Sequence, residues 1–412
     1  MGNRVHNLLF LILFSGILCV APVGKLLAFA GLEFPSWTGV GEQKSLLEGR
    51  EYADFPDLSV QSVKDGVFQD GFEQFLSDAI PLRDDAVMLN AAVQRCGISV
   101  SAALFGCQVY PTFYGSDYVY DSETDRLWPI LRKATDEEAE ELRDAATVFS
   151  TFRQRHPDAE MVFYQVDRSL TSSLNPTRAL MGPAVDTRFL TEHFYGNLSF
   201  DVLDGTCSTS EQYDDAYFKT DHHWTIDEAY RCYCRVLSYF SPDAAPMELP
   251  EKVEWDVPFY GAVSRLSLCL TREPDYIADY PVAIDGVDVL IDGEKVDSSA
   301  LADYQLYHDG DADDALYTNR YAEYFHTDYG IIELCNDHVA DGTLLIIADS
   351  YSNNMERFFT ANYRHVYVVD PRHANVSMDE FMDEHTIDNV LFLMGSTTLV
   401  SEPVLDSLNA CG

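Results

Sequence analysis

The chain has 412 residues, with 27 Lys and Arg against 68 Asp and Glu, which gives a formal net charge of −41. Hydrophobic residues make up 47% and aromatic residues 13%, enough for a large core, and this excludes a wholly disordered acidic chain. The sequence pI of about 4.3 also argues against nucleic-acid binding, which needs basic patches that neutralise phosphates.

An apolar run from Leu8 to Val23 begins the chain, with Arg4 before it and Lys25 after it. Residues 1–30 fit either a cleaved signal peptide, with Ala28-Phe29-Ala30 as the cleavage site, or an uncleaved signal anchor, and the sequence leaves both open. Either interpretation predicts that the rest of the chain is exported, anchored in the cell membrane and facing outside, or secreted. We expect no second span after this run.

Of the 9 cysteines, all except Cys19 lie after the apolar run. An even number in an exported chain permits disulfides, whose connectivity the sequence does not give. Cys232 and Cys234 are expected on one helix, where this spacing points them to nearly opposite faces, so they should not pair. No Cys-x-x-Cys pair is present, and no zinc ribbon is expected.

Residues 31–130 are predicted to be a linker followed by a helical and β extension. The stretch 31–60 is typical of an extended linker. Residues 67–105 are amphipathic and predicted to be helical, with Pro81 as punctuation, and 108–130 are predicted to form short strands and turns.

Residues 131–412 alternate helices with short apolar strands, which predicts a three-layer α/β/α domain with a central parallel sheet. Thr135 and Glu138 form a capping box that predicts a helix from Asp136 to His156. Further elements are expected as strands at Met161–Val166, Leu344–Ala348, Val366–Asp370 and Asn389–Met394, and as helices at Asn353–Phe359 and Met378–His385. Residues 241–335 are predicted to be an inserted irregular or β segment, with strands at Val287–Ile291 and Gly330–Leu334.

The most unusual stretch is Thr220-Asp221-His222-His223-Trp224-Thr225. Thr225 and Glu228 fit a second capping box, so a helix should follow and the motif itself should be extended or turn-like. Residues two apart on an extended segment share a face, so Asp221 can accept a hydrogen bond from His223 while His222 points away. A histidine oriented by a buried acid is what a general base for a hydroxyl nucleophile requires. Trp224 is expected to pack beneath the motif.

Ser350 is the candidate nucleophile, because it follows the predicted strand Leu344–Ala348 and precedes a helix. In open α/β sheets ligands bind at this edge, a strand-to-helix turn exposes the hydroxyl, and the unpaired N–H groups of the helix bind a developing oxyanion. Ser352 is the competitor, with an alternative role as N-cap of the helix from Asn353.

The Asp-His-His-Trp stretch followed by strand-Asp349-Ser350-Tyr-Ser resembles the DHHW proteins, which are similar to the periplasmic alginate O-acetylation proteins with an SGNH-hydrolase-like fold. Other parts of the resemblance are Phe72–Arg83, Phe259-Tyr260-Gly261 and Asp388–Leu393. Ala348 departs from the glycine that often precedes Asp-Ser in the family. The resemblance implies acyl transfer through a serine ester, with Asp221, His223 and Ser350 as the catalytic set, and a membrane-bound O-acyltransferase as partner.

The predicted activity is O-acetyl transfer to, or removal from, a cell-surface carbohydrate, without a cofactor. The candidates for oxyanion or substrate binding are Asn353, Asn354, Arg372 and Gly395. A polysaccharide is the expected acceptor, and because the acidic surface repels anions, a neutral glycan or a positive groove near Arg372 is expected. The alternative is a non-catalytic envelope scaffold or polysaccharide-binding protein. A Ser350–His223 distance near 3 Å favours the enzyme, and one above about 8 Å favours the scaffold.

No metal site is expected. Asp309–Asp314 has the spaced acids of a calcium loop but lacks Gly at position 6 and Glu at position 12, so it is interpreted as a solvated acidic turn. The triplet Asp221-His222-His223 also resembles the motif of DHH phosphoesterases. Those enzymes need further aspartate ligands at upstream strand ends, and we expect no such strand before this motif.

Overall fold

The computed structural model describes residues 44–45, 47, 50–78, 80, 82–105, 108–111, 117–282, 286–296, 316–324 and 328–409. The expected N-terminal signal segment and the acidic turn Asp309–Asp314 lie outside these residues. The chain divides into two units, Met1–Gln108 and Val109–Gly412.

The described residues of the first unit include one short hairpin and three helices. The hairpin strands are β1 (Lys44–Ser45) and β2 (Arg50–Glu51), and the helices are α1 (Val60–Lys64), α2 (Val67–Asp78) and α3 (Arg83–Phe105). The predicted helical character of 67–105 is therefore confirmed, with a break between α2 and α3.

Helix α3 bears on one expectation from the sequence. Among the described residues it is the helix that is long and apolar enough to cross a membrane, judged by length and composition alone. Its side chains are largely exposed, including Leu89, Val93, Leu104 and Phe105. A second candidate span after the N-terminal run was not expected.

The second unit begins with a three-stranded antiparallel sheet, which confirms the predicted short strands. Its strands are β3 (Val109–Pro111), β4 (Asp117–Asp121) and β5 (Arg126–Pro129). The remaining elements follow in chain order: α4 (Asp136–Arg155), β6 (Glu160–Val166), α5 (Arg178–Met181), α6 (Thr187–His193), β7 (Asp201–Gly205), α7 (Ser210–Ala216), α8 (Ile226–Phe240), β8 (Val253–Phe259), α9 (Ala262–Ser267), β9 (Asp275–Asp279), β10 (Val287–Ile291), β11 (Glu294–Val296), β12 (Ile331–Asn336), β13 (Thr343–Ala348), β14 (His365–Val369), α10 (Met378–Glu384), β15 (Asn389–Met394) and α11 (Glu402–Leu408). Short 3₁₀ helices lie at Tyr195–Asn197, Arg320–Tyr324 and Glu356–Ala361.

A central sheet of 8 strands has the order β11-β10-β12-β14-β13-β15-β6-β7. The five strands from β14 to β7 are parallel. Four of them, β6, β13, β14 and β15, were predicted, and β7 was not. Strands β10, β11 and β12 pair antiparallel and come from the predicted insertion. The insertion therefore extends the central sheet, a pairing that depends on distant partners and is not visible in local periodicity.

Alternate residues of the central strands enter two separate cores, one on each face of the sheet. One core takes Tyr164, Ile346 and Leu393 with helix α8, and the other takes Phe163, Ile347 and Phe392 with helices α4, α10 and α11. Side chains alternate across a strand, so a strand apolar on both faces must be covered on both faces. The predicted three-layer α/β/α architecture is confirmed.

The local signals for three predicted helix starts have different outcomes. Thr135 caps α4 through a complete capping box with Glu138, as predicted. Thr225 precedes α8 but makes no capping hydrogen bond, because its hydroxyl donates to the carbonyl of Asp215. The helix expected from Asn353 is a 3₁₀ helix that begins at Glu356.

Among the described residues, Cys96, Cys207, Cys232, Cys234, Cys269 and Cys335 form no disulfide with one another. Cys232 and Cys234 do not pair, as expected from their spacing on α8.

Candidate active site

Ser350 lies directly after β13, at the carboxyl edge of the parallel strands. Asp349, immediately before it, shapes the turn: its Oδ2 accepts hydrogen bonds from the N–H of Gly395 at 2.8 Å and from the Thr398 hydroxyl at 2.8 Å. Its Oδ1 accepts from the N–H of Tyr351 at 3.2 Å. The acid before the serine therefore joins the end of β13 to the segment after β15, which fixes the serine at the sheet edge.

Asp221 and His223 lie in a tight hairpin between α7 and α8. The hairpin closes where Tyr217 pairs with Trp224 and where the N–H of Phe218 donates to the carbonyl of His223 at 3.2 Å. Asp221 Oδ1 lies 2.6 Å from His223 Nδ1 and also accepts from the His223 backbone N–H at 3.0 Å.

The second ring nitrogen of His223 faces Ser350, with Nε2 and Oγ 2.8 Å apart. Burial by itself would raise the pKa of Asp221, but His222, His223 and the N–H of Ala262 outweigh it and hold this pKa below its usual range. An ionised carboxylate only accepts hydrogen bonds, so Nδ1 of the neutral His223 ring carries the proton and donates a hydrogen bond to Asp221. Nε2 is then the acceptor for the Ser350 hydroxyl, which is the protonation state a general base requires.

The last three residues of the Asp-His-His-Trp motif, His222, His223 and Trp224, each contact the segment that follows β13. His223 meets Ser350, the Tyr351 hydroxyl donates to the carbonyl of His222 at 2.6 Å, and Trp224 Nε1 donates to Asn354 Oδ1 at 2.9 Å. Trp224 is fully buried, which confirms its predicted packing role. Hydrogen bonds at three successive residues of the motif therefore join two segments that are more than 100 residues apart in sequence.

The segment after β8 holds Asp221 from the other side. The N–H of Ala262 donates to Asp221 Oδ2 at 2.6 Å. Gly261 lies so close that a Cβ there would stand 2.7 Å from Asp221 Cγ and nearer still to its Oδ2. Gly261 is required by this close approach, since its φ of −75° suits any residue. Sequence analysis placed Phe259-Tyr260-Gly261 in the family resemblance without assigning it this contact.

Tyr321, on the 3₁₀ helix Arg320–Tyr324, was missed by sequence analysis. Its ring stacks on His223 with centroids 3.7 Å apart and planes 5° apart, and its hydroxyl donates to the carbonyl of Ser350 at 3.1 Å. Burial raises the pKa of Tyr321 well above its usual value, so the hydroxyl remains a donor. One side chain therefore restrains both the imidazole and the serine, and an aromatic face also favours an imidazolium.

Arg126 of β5 was also missed. It is 1% exposed, donates to the carbonyls of Tyr217 and Phe218 at 2.9 and 2.6 Å, and pairs with Asp214 at 2.9 Å. These bonds satisfy carbonyls at the base of the hairpin that carries Asp221 and His223. Arg126 lies in a short strand that is distant in sequence from the hairpin, so no local pattern indicates this role.

Ser352 and His222 have other surroundings. Ser352 is 3% exposed, and its hydroxyl donates to the carbonyl of Asp349 at 3.1 Å, so it closes the nucleophile turn and is not the helix N-cap. His222 keeps 27% of its side chain exposed, but it does not point away as expected, because its Nδ1 lies 3.4 Å from Asp221 Oδ1. Burial and the adjacent His223 lower the pKa of His222 well below its usual value.

All four oxyanion or substrate candidates have at least one polar partner. The N–H of Gly395 donates to Asp349, the Asn353 amide donates to Asp328 at 3.0 Å, and Arg372 donates to Asp370 at 2.5 Å. Asn354 is 1% exposed; its Oδ1 accepts from Trp224, and its buried Nδ2 has no partner among the described residues.

The ligating atoms of Asp221, His222 and His223 lie within 4.8 Å of one another. Strands β6 and β7 do precede this motif, which corrects the sequence-based ground for setting aside a DHH phosphoesterase. Both ring nitrogens of His223 are engaged, however, by Asp221 and Ser350. The arrangement therefore suits proton transfer at a hydroxyl better than metal ligation.

The architecture is that of an SGNH-like α/β/α protein. A DHHW family protein from Eubacterium siraeum DSM 15702 is 17% identical, with a TM-score of 0.52 over 71% of this chain and 94% of that chain. Bacillus cereus PatB1, in a structure with a sulfonyl adduct, is 18% identical, with a TM-score of 0.52 over 70% of this chain and 97% of that chain. The O-acetyltransferase domain of Pseudomonas putida AlgJ is 12% identical, with a TM-score of 0.40 over 73% of this chain and 98% of that chain.

Residues 203–369 match the family model described as DHHW protein. The predicted resemblance to the DHHW proteins is therefore confirmed. The matched range contains the Asp221–His223 hairpin, Gly261, Tyr321 and Ser350. No curated protein matches the chain.

Proposed function

We propose that the protein is a cell-surface carbohydrate O-acetyltransferase or acetylesterase that acts through an acyl-serine at Ser350. The observation that carries the proposal is the hydrogen-bonded series from Asp221 through His223 to Ser350, with a Ser350–His223 distance of 2.8 Å. This distance meets the criterion for the enzyme and not the one for the scaffold. The shared fold with PatB1 in a structure with a sulfonyl adduct agrees with the proposal.

In the first half of the proposed reaction, His223 Nε2 takes the proton of Ser350 Oγ as Oγ attacks the acyl carbonyl carbon. The carbon–oxygen π electrons move to the carbonyl oxygen and form a tetrahedral oxyanion. The oxyanion collapses, the bond to the donor's leaving oxygen breaks, and that oxygen takes the proton from His223. The product is an acyl ester on Ser350.

In the second half, a sugar hydroxyl or water loses its proton to His223 and attacks the acyl carbon. Collapse releases Ser350, which regains the proton from His223. A sugar acceptor gives acyl transfer and water gives hydrolysis, so the same residues serve both reactions. Asp221 remains ionised throughout and stabilises the imidazolium that forms twice in each cycle.

The setting of this activity is also a proposal. The N-terminal apolar run supports an exported, membrane-anchored or secreted protein, and the resemblance to the DHHW proteins supports a polysaccharide acceptor. A membrane-bound O-acyltransferase that delivers acyl groups across the bilayer is the proposed partner.

The test uses p-nitrophenyl acetate turnover and covalent labelling by phenylmethylsulfonyl fluoride, a reagent for activated serines. Wild-type protein should release nitrophenol and gain one sulfonyl group, located at Ser350 by peptide mass spectrometry. The Ser350→Ala variant should do neither. Ser352→Ala is the matched control, since it removes a hydroxyl two residues away that does not contact His223, and it should still be labelled.

Labelling at Ser352 instead of Ser350 would show that Ser350 is not the nucleophile. A folded wild-type protein that neither turns over the ester nor takes up the sulfonyl group would refute the enzyme and favour the non-catalytic envelope scaffold.

A further inference from the structure

Arg168 and Arg372 lie at the carboxyl edge of the central sheet. They differ in whether the described residues supply a carboxylate partner. Arg372, after β14, makes a salt bridge with Asp370 at 2.5 Å and lies 3.6 Å from Asp328. Arg168, after β6, makes no ion pair with any acid in the described ranges. Its Nη1 donates to the Thr397 hydroxyl at 2.6 Å, and its buried Nε has no partner there either.

Arg168 lies beside the turn that carries Ser350. Gly395, whose N–H holds Asp349, separates them: a Cβ on Gly395 would stand 3.3 Å from Arg168 Nη1 and 3.4 Å from Tyr351 Cε2. The guanidinium and the ring of Tyr351, the residue after Ser350, therefore both pack closely against Gly395, where any side chain would crowd them. Arg168 is also close enough to His222 to add to the effect of burial and His223 in lowering the pKa of its imidazole.

We infer that Arg168, together with Thr397, forms a subsite beside the turn of Ser350 that binds an anionic group, a carboxylate or a phosphate, on the acyl acceptor. This inference rests on the proposed function, because it assigns the acceptor class to the site of Ser350. The sequence analysis expected a positive group near Arg372, after β14. The inference assigns that role to Arg168, after β6.

The electrostatic reason is the contrast between the whole protein and this position. With a net charge of −41, the bulk surface repels anions, but a Debye length of about 8 Å in physiological salt limits the reach of distant charges. A guanidinium that pairs with no carboxylate of the described residues therefore dominates the potential in its own neighbourhood. Its planar fork matches the two oxygens of a carboxylate or phosphate.

Equilibrium binding without an acyl donor tests the subsite separately from catalysis. Glucuronate, glucose 6-phosphate and glucose are titrated into full-length wild-type protein by calorimetry in low salt. Glucuronate, glucose 6-phosphate or both should bind at least about tenfold more tightly than glucose, as expected for one charge-assisted hydrogen-bonded pair. Which of the two binds distinguishes a uronate-type acceptor from a phosphorylated one.

The variant Arg168→Gln should abolish the preference for the charged sugar, and Arg168→Lys should restore part of it. Arg188→Gln is the matched control, because it removes one positive charge from an exposed position on α6, and it should keep the preference. Circular dichroism establishes that each variant is folded.

Equal binding of charged and neutral sugars by the wild type, or an unchanged preference in both Arg168 variants, would overturn the subsite. Neither result affects sulfonyl labelling of Ser350. Conversely, a protein that prefers glucuronate through Arg168 but takes up no sulfonyl group retains the subsite and loses the proposed catalysis.

Discussion

Replacing Gly261 by alanine should disable the candidate active site without altering any side chain that reacts. The new Cβ would stand 2.7 Å from Asp221 Cγ, whereas carbon atoms pack at about 3.5–4.0 Å. Asp221 must therefore retreat by about 1 Å. Its 2.6 Å contact with His223 Nδ1 would then exceed hydrogen-bonding distance.

The expected loss in kcat lies between two reference values. A misplacement of about 1 Å costs about 10²-fold, and removing the function of the acid in a Ser-His-Asp triad costs about 10⁴-fold. Overpacking should also cost about 1–3 kcal/mol in the free energy of unfolding. We expect Gly261→Ala to reduce p-nitrophenyl acetate turnover within that range while the protein stays folded at 25 °C.

Gly196→Ala is the matched control, because its Cβ would meet the Thr191 carbonyl oxygen at 2.8 Å, in a segment that does not contact Asp221. It should lose stability of a similar order and keep its activity per folded molecule. If Gly261→Ala kept more than about a third of the wild-type kcat, the orientation of His223 by Asp221 would not limit the reaction, and the reasoning would be refuted.

Three further predictions follow from the same structure. Tyr321→Phe, which loses the hydrogen bond to Ser350, should lower kcat about fivefold, and Tyr321→Leu, which also loses the stacking on His223, should lower it further with little change in KM; equal kcat values for the two variants would exclude a role for the stacked ring. Burial raises the pKa of Asp167 to about 6, above its unfolded value, so its ionisation destabilises the fold as pH rises from about 4 through 6, by up to about 3 kcal/mol. Asp167→Asn should therefore be more stable than wild type in urea at pH 7 and lose this advantage near pH 4; lower stability than wild type at pH 7 would contradict the assignment. Burial also raises the pKa of the Cys232 thiol well above its usual value, so iodoacetamide should label exposed Cys96 in the native protein and Cys232 only after denaturation, and rapid native labelling of Cys232 would show that α8 is not packed as described.

Local patterns in the sequence determined the parallel core and the pairing within the hairpin. The strands β6, β13, β14 and β15 were predictable because short runs apolar on both faces require cover on both faces. The Asp221–His223 contact was predictable because it depends on a spacing of two residues. The position of Ser350 followed from its place at the end of a parallel strand.

Only the tertiary structure decided what surrounds these residues. Gly261 against Asp221 and Tyr321 against His223 are contacts between segments about 40 and 98 residues apart, and no periodicity encodes such pairings. The antiparallel strands β10 and β12 were predicted individually, but their joining of the central sheet was not, since register is set by distant partners.

The two arginines at the sheet edge also show which properties the sequence determines and which depend on the fold. Both Arg168 and Arg372 follow a strand in the sequence, and both lie in an acidic chain. Whether a guanidinium is neutralised depends on which carboxylates the fold brings within reach, because ion pairing acts over a few ångströms of space and not over sequence separation. The sequence determined that cations are scarce; the fold decided that Arg372 has carboxylate partners and that Arg168, beside Ser350, has none among the described residues.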